Sequence, residues 1–105
     1  MSADIYCTPP ERIDALHAVR DAYKGDSSRT QADRLLAALR EVGNVTTFEA
    51  MRYLDIFDPR PRKLWLVRQG NNVITTWRVC VTESGDRHRI GVYSLVSGEQ
   101  QQLAA

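Results

Sequence analysis

Three basic residues crowd the start of a short, helix-compatible segment in the middle of the chain. Arg60, Arg62 and Lys63 follow directly after Asp58 and Pro59. An arginine side chain presents a planar fork of donors that fits both phosphate oxygens and guanine edges. Nucleic acid is therefore one ligand that this cluster fits, although surface helices are also often basic without any such role.

Two further sets of polar side chains could reach the same ligand. Thr47 and Arg52 lie on the preceding helix, whose free amides can bind phosphate, but capping and solvation explain these residues equally well. Arg87 and Arg89 follow a predicted hairpin turn, where cations can enter a minor groove or touch phosphate. Strand alternation separates His88 from both arginines, and a lone histidine on a hairpin is more often plain polar surface.

No set of residues is spaced for catalysis or for metal binding. The two histidines are far apart, no glycine-rich phosphate loop precedes a helix, and no nucleophile motif occurs. Cys7 and Cys80 form neither a Cys-x-x-Cys pair nor a disulfide framework. The sequence therefore predicts neither an enzyme nor a cofactor or metal site.

Charge is unevenly distributed along the 105 residues. The formal net charge is +1, but residues 1–58 carry seven Lys and Arg against ten Asp and Glu, and residues 59–105 carry seven against three. This asymmetry suggests an anionic partner for the basic part, and a merely solvated surface explains it about as well.

Composition indicates a single domain that does not span a membrane. With 43% hydrophobic residues, the chain can bury one core but not two. No stretch approaches the roughly 20 apolar residues of a membrane span, and the N-terminus has acids and prolines where a signal peptide needs an apolar core. We expect a cytoplasmic protein.

The elements that must position these residues begin with an amphipathic helix over residues 9–24. Proline at its start and Glu11 in its first turn favour a helix. Its apolar residues recur at spacings of three and four, and they are Ile13, Leu16, Val19 and Tyr23. Residues 25–28 then predict a hinge. The apolar stripe must be covered by the domain or by a second copy of the chain, and we favour the domain.

The first core helix follows this hinge. Thr30 is a good N-cap, and Gly43 with Asn44 ends the helix. Its apolar stripe consists of Ala32, Leu35, Leu36, Leu39 and Val42.

The second core helix starts with a capping box, in which Thr46 and Glu49 satisfy opposite free amides. The residues expected to face inward are Ala50, Met51 and Leu54. Residues 55–58 interrupt the helix, and Pro59 and Pro61 both disfavour an α conformation in the residue before them, so a tight turn must follow.

A third core helix is predicted over about residues 61–70. Leu64 and Val67, three apart, would contact the core. This leaves Trp65 exposed beside Leu66, and it makes Trp65 the more exposed of the two tryptophans, Trp65 and Trp77. The residues able to adopt a left-handed stop are Asn71 and Asn72. An exposed apolar patch often marks a protein contact, so a homodimer through Trp65 and Leu66, or through the N-terminal helix, is a further expectation.

The last predicted element is a β-hairpin. Residues 73–82 are rich in Val, Ile, Thr and Trp, residues 84–86 supply the turn, and residues 87–95 return with alternating character. Three helices followed by a hairpin make an α+β fold. The predicted division is an accessory helix and hinge at residues 1–28, the domain at residues 29–96, and a disordered tail at residues 97–105.

Several of these segments together carry a family resemblance. They are residues 45–50 (Val-Thr-Thr-Phe-Glu-Ala), Leu54, Ile56, Lys63, Leu64, Val67, Arg68 and residues 74–77. In this combination they resemble a winged helix-turn-helix family that is widespread in phage and prophage proteins, and the likeness covers about residues 30–95. The resemblance implies a three-helix core, a β-hairpin wing and a function in DNA binding. Because the start of the third helix commonly enters a DNA groove in such domains, it also implies that at least one of Arg60, Arg62 and Lys63 contacts DNA.

Two departures from the family pattern bear on geometry. Asp55 stands where such a turn often has glycine, at a position that favours a left-handed residue, and aspartate tolerates that conformation better than most residues. Residues 58–61 add one residue and a second proline before the third core helix, which predicts an unusual angle to the second.

The leading hypothesis is a protein that binds double-stranded DNA, a transcriptional regulator of the phage or prophage type whose third core helix and wing read the duplex. A role in DNA excision or packaging is the next interpretation. The alternative from another class is a protein-interaction module, in which Trp65, Leu66 and the N-terminal helix form the interface and the cations are only solvated. Salt dependence separates these classes, because phosphate contacts release counterions.

Overall fold

The computed structural model describes residues 8–82 and 84–96, which contain four helices and three strands. These elements are α1 (Pro10–Ala22), α2 (Ser28–Val42), β1 (Asn44–Thr46), α3 (Thr47–Arg52), α4 (Pro59–Arg68), β2 (Val73–Val81) and β3 (Arg87–Leu95). An N-terminal helix, a three-helix core and a long hairpin confirm the predicted α+β architecture. The predicted disordered tail lies outside the described residues.

α1 packs along α2 and contributes to the core. Leu16 is fully buried and Val19 nearly so, and both lie in one apolar cluster with Leu35 and Leu39 of α2. The domain thus covers the central part of the apolar stripe of α1, as expected. Tyr23, the last member of that stripe, is exposed because it is already the C-cap residue beyond the helix.

A buried arginine of α2 holds the loop between α1 and α2. Arg34 Nε and Nη2 both donate to the Tyr23 carbonyl, at 3.0 and 2.8 Å. Nη2 also donates to the Gly25 carbonyl, and Nη1 donates to the carbonyls of Leu54 and Asp55 at 2.8 and 3.1 Å. The loop predicted to be a hinge is therefore hydrogen-bonded to the same side chain as the turn that follows α3.

α2 begins earlier than predicted. Its N-cap is Ser27, whose hydroxyl accepts a hydrogen bond from the Thr30 amide at 3.1 Å. The prediction of Thr30 as N-cap is wrong because Ser27 is itself a good cap and leaves Thr30 inside the first turn. Gly43, with a φ of 90°, ends the helix as predicted. The next three residues form β1, which the sequence does not reveal because so short a strand shows no alternation.

The predicted capping box at the start of α3 is confirmed. Thr46 Oγ1 accepts a hydrogen bond from the Glu49 amide, and Glu49 Oε1 accepts one from the Thr46 amide, each at 3.0 Å. The buried Glu49 carboxylate also accepts two hydrogen bonds from Arg12 of α1, at 2.8 and 3.0 Å, and one from Thr8. Burial alone would raise the pKa of Glu49, but the hydrogen bonds from Arg12 and Thr46 outweigh it, so the pKa lies below its ordinary value.

The turn between α3 and α4 adopts the left-handed conformation that its sequence predicts, since Asp55 has a φ of 54°. Asp58 is the N-cap of α4 and accepts a hydrogen bond from the Arg60 amide at 3.3 Å. Pro59 takes the first helical position, where its missing amide leaves no hydrogen bond unmade. α4 therefore begins two residues earlier than predicted, because the first turn accommodates Pro61 as well.

The end of α4 also differs from the prediction. Gly70, with a φ of 95°, adopts the left-handed conformation that we expected of Asn71 or Asn72. Asn71 instead donates its side-chain amide to the Leu66 carbonyl at 3.1 Å. Glycine adopts positive φ without a steric penalty, so the stop falls on the first residue that favours it.

The inward face of α4 is rotated from the predicted one. Leu66 is 2% exposed, whereas Leu64 and Val67, both predicted to contact the core, are 47% and 41% exposed. The early helix start buries Pro59, and Leu66 lies two turns further along the same face. The predicted apolar patch of Trp65 and Leu66 is therefore absent from this surface, because Leu66 is a core residue.

The strands form one antiparallel sheet in the order β1-β3-β2. β2 and β3 pair over their whole length, from Val73 with Leu95 to Val81 with Arg87. The predicted hairpin is confirmed, with β2 one residue shorter than expected and β3 unchanged. β1 pairs with the second half of β3, so residues 77–81 and 87–91 extend beyond it. This part of the hairpin is called the wing below.

Candidate nucleic-acid interface

A groove lies between the start of α3, α4 and the wing. β3 contacts α3, and β2 contacts α4. Four of the seven predicted site residues line it, and these are Thr47, Arg60, Lys63 and Arg89. The fold thus brings together on one surface a hydroxyl and three cations that come from three separate elements.

The two groove-facing cations of α4 lie one turn apart. Arg60 is exposed, and its Nε donates to Asp58 Oδ1 at 3.3 Å. The hydrogen bond from this guanidinium lowers the pKa of the Asp58 carboxyl. Lys63 is partly buried in the wall of the groove. Because residues three apart share a helix face, both can reach a ligand on this side of α4.

Arg62 lies on a different face of α4. It follows Pro59 by three residues and precedes Leu66 by four, so it shares their inward face and is itself partly buried. Its Nε is buried and has no hydrogen-bond partner among the residues that the structure describes. Arg62 does not line the groove. Arg60 and Lys63 are therefore the α4 cations best placed to contact a ligand there.

Strand pairing separates the basic residues of the wing as predicted. Arg87 and Arg89 lie on the same face of the hairpin as Trp77, and His88 lies on the opposite face. The guanidinium carbon of Arg89 is 4.8 Å from the centroid of the Trp77 ring, which is a cation–π contact. Arg89 thus lines the groove with its side chain resting on an aromatic ring.

The two predicted contacts on α3 fall in different places. Thr47, the first residue of α3, lines the groove beside β3. Arg52, the last residue of α3, is exposed, and its guanidinium carbon lies 5.8 and 5.6 Å from the ring centroids of Phe48 and Tyr53. Arg52 does not line the groove, so only Thr47 of this pair belongs to the candidate interface.

The groove also contains apolar residues that the sequence does not single out. Phe57 is 91% exposed, and Met51 and Leu64 are about half exposed. Met51 was expected to face inward, but the six-residue α3 buries Ala50 and leaves its neighbour on the groove side. Phe57 stands in the turn between α3 and α4, outside any helix or strand. Neither a helical nor a strand period therefore assigns its side chain to a face.

Trp77, not Trp65, is the more exposed tryptophan, which corrects the prediction. Trp77 is paired with Gly91, and a Cβ placed on this glycine would lie 3.7 Å from Trp77 Cζ3 and 3.2 Å from Thr47 Cγ2. The missing side chain therefore lets the indole lie across β3 and lets α3 approach the strand. Trp65 lies at a separate surface between α2 and the end of α4.

Within residues 8–82 and 84–96, no helix has the length and apolar character needed to cross a membrane.

Comparison with known proteins agrees with this architecture. No curated protein and no solved structure matches the chain. A family model described as a winged helix-turn-helix domain matches residues 30–98, which include the helix-turn-helix of α3 and α4 and the whole hairpin. Such domains typically bind DNA and are not enzymes. The chain therefore belongs to the winged helix-turn-helix domain family.

Proposed function

We propose that the chain binds double-stranded DNA with α4 in the major groove and the wing beside it. The observation that carries the proposal is the convergence of Thr47, Arg60, Lys63 and Arg89 on one groove. Cations that neutralise phosphates contribute a large share of the affinity of such complexes, and the exposed Arg60 can also reach base edges. Family membership supports the same ligand.

The wider role that we propose is transcriptional regulation of the phage or prophage type, in the cytoplasm. The resemblance carried by residues 45–50 and the segments that follow supports this role. An accessory role in DNA excision or packaging would use the same protein surface on a different DNA site. A DNA target found upstream of a promoter favours regulation, and one found at an attachment or packaging site favours the accessory role.

A protein-interaction module is the second candidate. The observation that favours it is the apolar lining of the groove by Phe57, Met51 and Leu64, since exposed apolar patches often mark protein contacts. An apolar interface should respond little to salt, whereas phosphate contacts weaken steeply with it. A salt titration of the binding affinity therefore distinguishes the two functions.

The experiment is fluorescence anisotropy of labelled duplex DNA between about 50 and 200 mM salt. The variant is the double substitution Arg60→Ala and Lys63→Ala, which leaves the partly buried Arg62 in place. The logarithm of the association constant should fall with the logarithm of salt by about 0.9 for each phosphate neutralised. We expect the double variant to bind more weakly and to lose about two units of slope.

The matched control is the double substitution Arg29→Ala and Arg40→Ala, which removes two exposed cations from α2. Neither residue lines the groove, so the affinity and the salt slope should stay close to those of the native chain. Failure of the native chain to bind duplex at low salt would overturn the proposal. An equal loss of slope in both double variants would show that net charge, and not the groove, governs binding.

A further inference from the structure

Two aromatic rings face solvent inside the groove that contains the cations. Phe57 is 91% exposed and Trp77 is 60% exposed, and both line the same surface. Rings of this size are ordinarily buried in a domain with an apolar core. Their exposure beside Arg60, Lys63 and Arg89 calls for a ligand that carries both flat apolar surfaces and negative charge.

The Trp77 ring is held in place by the fold. It lies across Gly91 on β3, with Cζ3 in van der Waals range of the position that a Cβ would occupy there. Arg89 lies over the ring at 4.8 Å from its centroid. Trp77 remains 60% exposed with this guanidinium in place, so a large part of the residue stays accessible to a ligand.

Unpaired nucleobases fit this combination better than paired ones. In a duplex the base faces are covered by their neighbours in the stack, so an aromatic ring outside it meets sugars and base edges. In a single strand the faces are accessible, and a cationic groove with aromatic platforms is the arrangement that binds such strands. The same three cations can contact the phosphates of either polymer.

We propose that this groove also binds a single-stranded segment of nucleic acid, with unpaired bases stacked on Trp77 and Phe57 and the phosphates held by Arg60, Lys63 and Arg89. This activity goes beyond the duplex binding proposed above, although it uses the same surface. The shared chemistry is an unpaired base on a phosphodiester chain, which single-stranded DNA and RNA both provide. The groove can therefore engage DNA in which a few bases have left the stack.

Fluorescence of Trp77 tests the stacking directly. The chain has two tryptophans, so Trp65→Phe leaves Trp77 as the sole tryptophan reporter. This variant is titrated with oligothymidylate, with oligouridylate and with a fully paired duplex. We expect either single strand to quench Trp77 strongly, and the tighter of the two identifies the source of the strand. Binding seen by anisotropy without any change in Trp77 emission would overturn the proposal.

Substitutions then separate stacking from charge. Trp77→Ala and Phe57→Ala should each weaken oligothymidylate binding by about tenfold, because base–aromatic stacking is lost, and Trp77→Phe should restore part of the affinity. Trp65→Ala is the matched control on another surface and should have no effect. Phe57 is almost entirely exposed, so its substitution tests the proposal even if Trp77→Ala disturbs the hairpin.

The outcomes distinguish this inference from the proposed duplex function. Duplex binding without binding of either single strand overturns the inference and leaves the duplex function standing. Binding of single strands that depends on both rings, without duplex binding, supports the inference and overturns the duplex function. Single-strand binding that survives both aromatic substitutions shows contact through phosphates alone and overturns the stacking model.

Discussion

At the scale of single residues, Glu49 links the N-terminal helix to the part of the domain that forms the groove. Its carboxylate closes the capping box with Thr46 and accepts two hydrogen bonds from Arg12 of α1. Thr46 also belongs to β1, which pairs with β3. The side chain that starts α3, and so positions Thr47 in the groove, is therefore fixed by α1. This gives the N-terminal helix a direct part in shaping the site.

Glu49 should make the stability of the domain depend on pH in the acid range. Its pKa in the fold lies below the ordinary value of 4.5, so its contribution to the free energy of unfolding is fully present above that value. The contribution is lost as the pH falls through the lower, folded pKa. Glu49→Gln keeps the capping geometry but loses the charge, so it should be less stable by about 1–2 kcal/mol near pH 7.

The measurement is urea unfolding of the native chain and of Glu49→Gln at a series of pH values from neutral to about 3. The difference between the two chains should shrink as the pH falls. Glu41→Gln, a substitution of an exposed glutamate on α2, is the control and should retain the native pH dependence. A constant difference between native and Glu49→Gln across the series would show that the carboxylate charge contributes nothing.

At the scale of elements, predictions succeed where a few neighbouring residues decide the outcome. The capping box of α3 and the bounds of β3 follow from local chemistry alone. Predictions fail where two similar signals compete, as between Ser27 and Thr30 for the N-cap of α2, or between Pro59 and Pro61 for the start of α4. Each residue turns a helix by about 100°. A small error in the predicted start or register of a helix therefore changes which face is predicted to be buried.

The same reasoning explains how much of the site could be predicted. Basic residues reveal themselves by type, and three of the six predicted cations line the groove: Arg60, Lys63 and Arg89. Arg52, Arg62 and Arg87 do not line it. Helix length and helix rotation decide where Arg52 and Arg62 point, and Arg87 lies at the turn end of the hairpin, paired with Val81. The sequence does not predict that Phe57 and Trp77 line the groove, because their exposure depends on how separate elements pack together. The hydrogen bonds of Arg12 and Arg34 are not predicted for a similar reason, since most of their partners are distant in sequence.

The orientation of α4 can be tested with a matched pair of leucines. Leu66 is buried and Leu64 lines the groove. Leu66→Ala should lower the free energy of unfolding by about 2–5 kcal/mol, because it opens a cavity in the core. Leu64→Ala should change it by less than about 1 kcal/mol, because no core contact is lost. Chemical denaturation of both variants measures the difference, and equal losses would contradict this orientation of α4.

At the scale of the whole molecule, the uneven charge along the sequence leaves different parts of the surface with opposite charge. Two of the basic residues in the acidic half, Arg12 and Arg34, are bonded inside the structure, to Glu49 and to backbone carbonyls. The net charge that α1 and α2 expose to solvent is therefore more negative than a count of all their charged residues suggests. The groove carries a net positive charge, because Arg60, Lys63 and Arg89 outnumber Asp58, the acidic residue that also lines it. A field of this kind steers a polyanion toward the groove side during encounter.

Arg34 should stabilise the domain as a whole, since its guanidinium donates to the end of α1, to the following loop and to the turn before α4. Arg34→Met fills a similar volume but removes all of these hydrogen bonds and leaves the buried Leu54 carbonyl without this donor, so it should lower the free energy of unfolding by about 3 kcal/mol. Arg34→Lys should recover only part of the loss, because an ammonium lacks the planar fork. Urea unfolding followed by circular dichroism measures the loss, with Arg40→Met as an exposed control on α2. A loss no larger than that of the control would show that α1 and the turn hold together without Arg34.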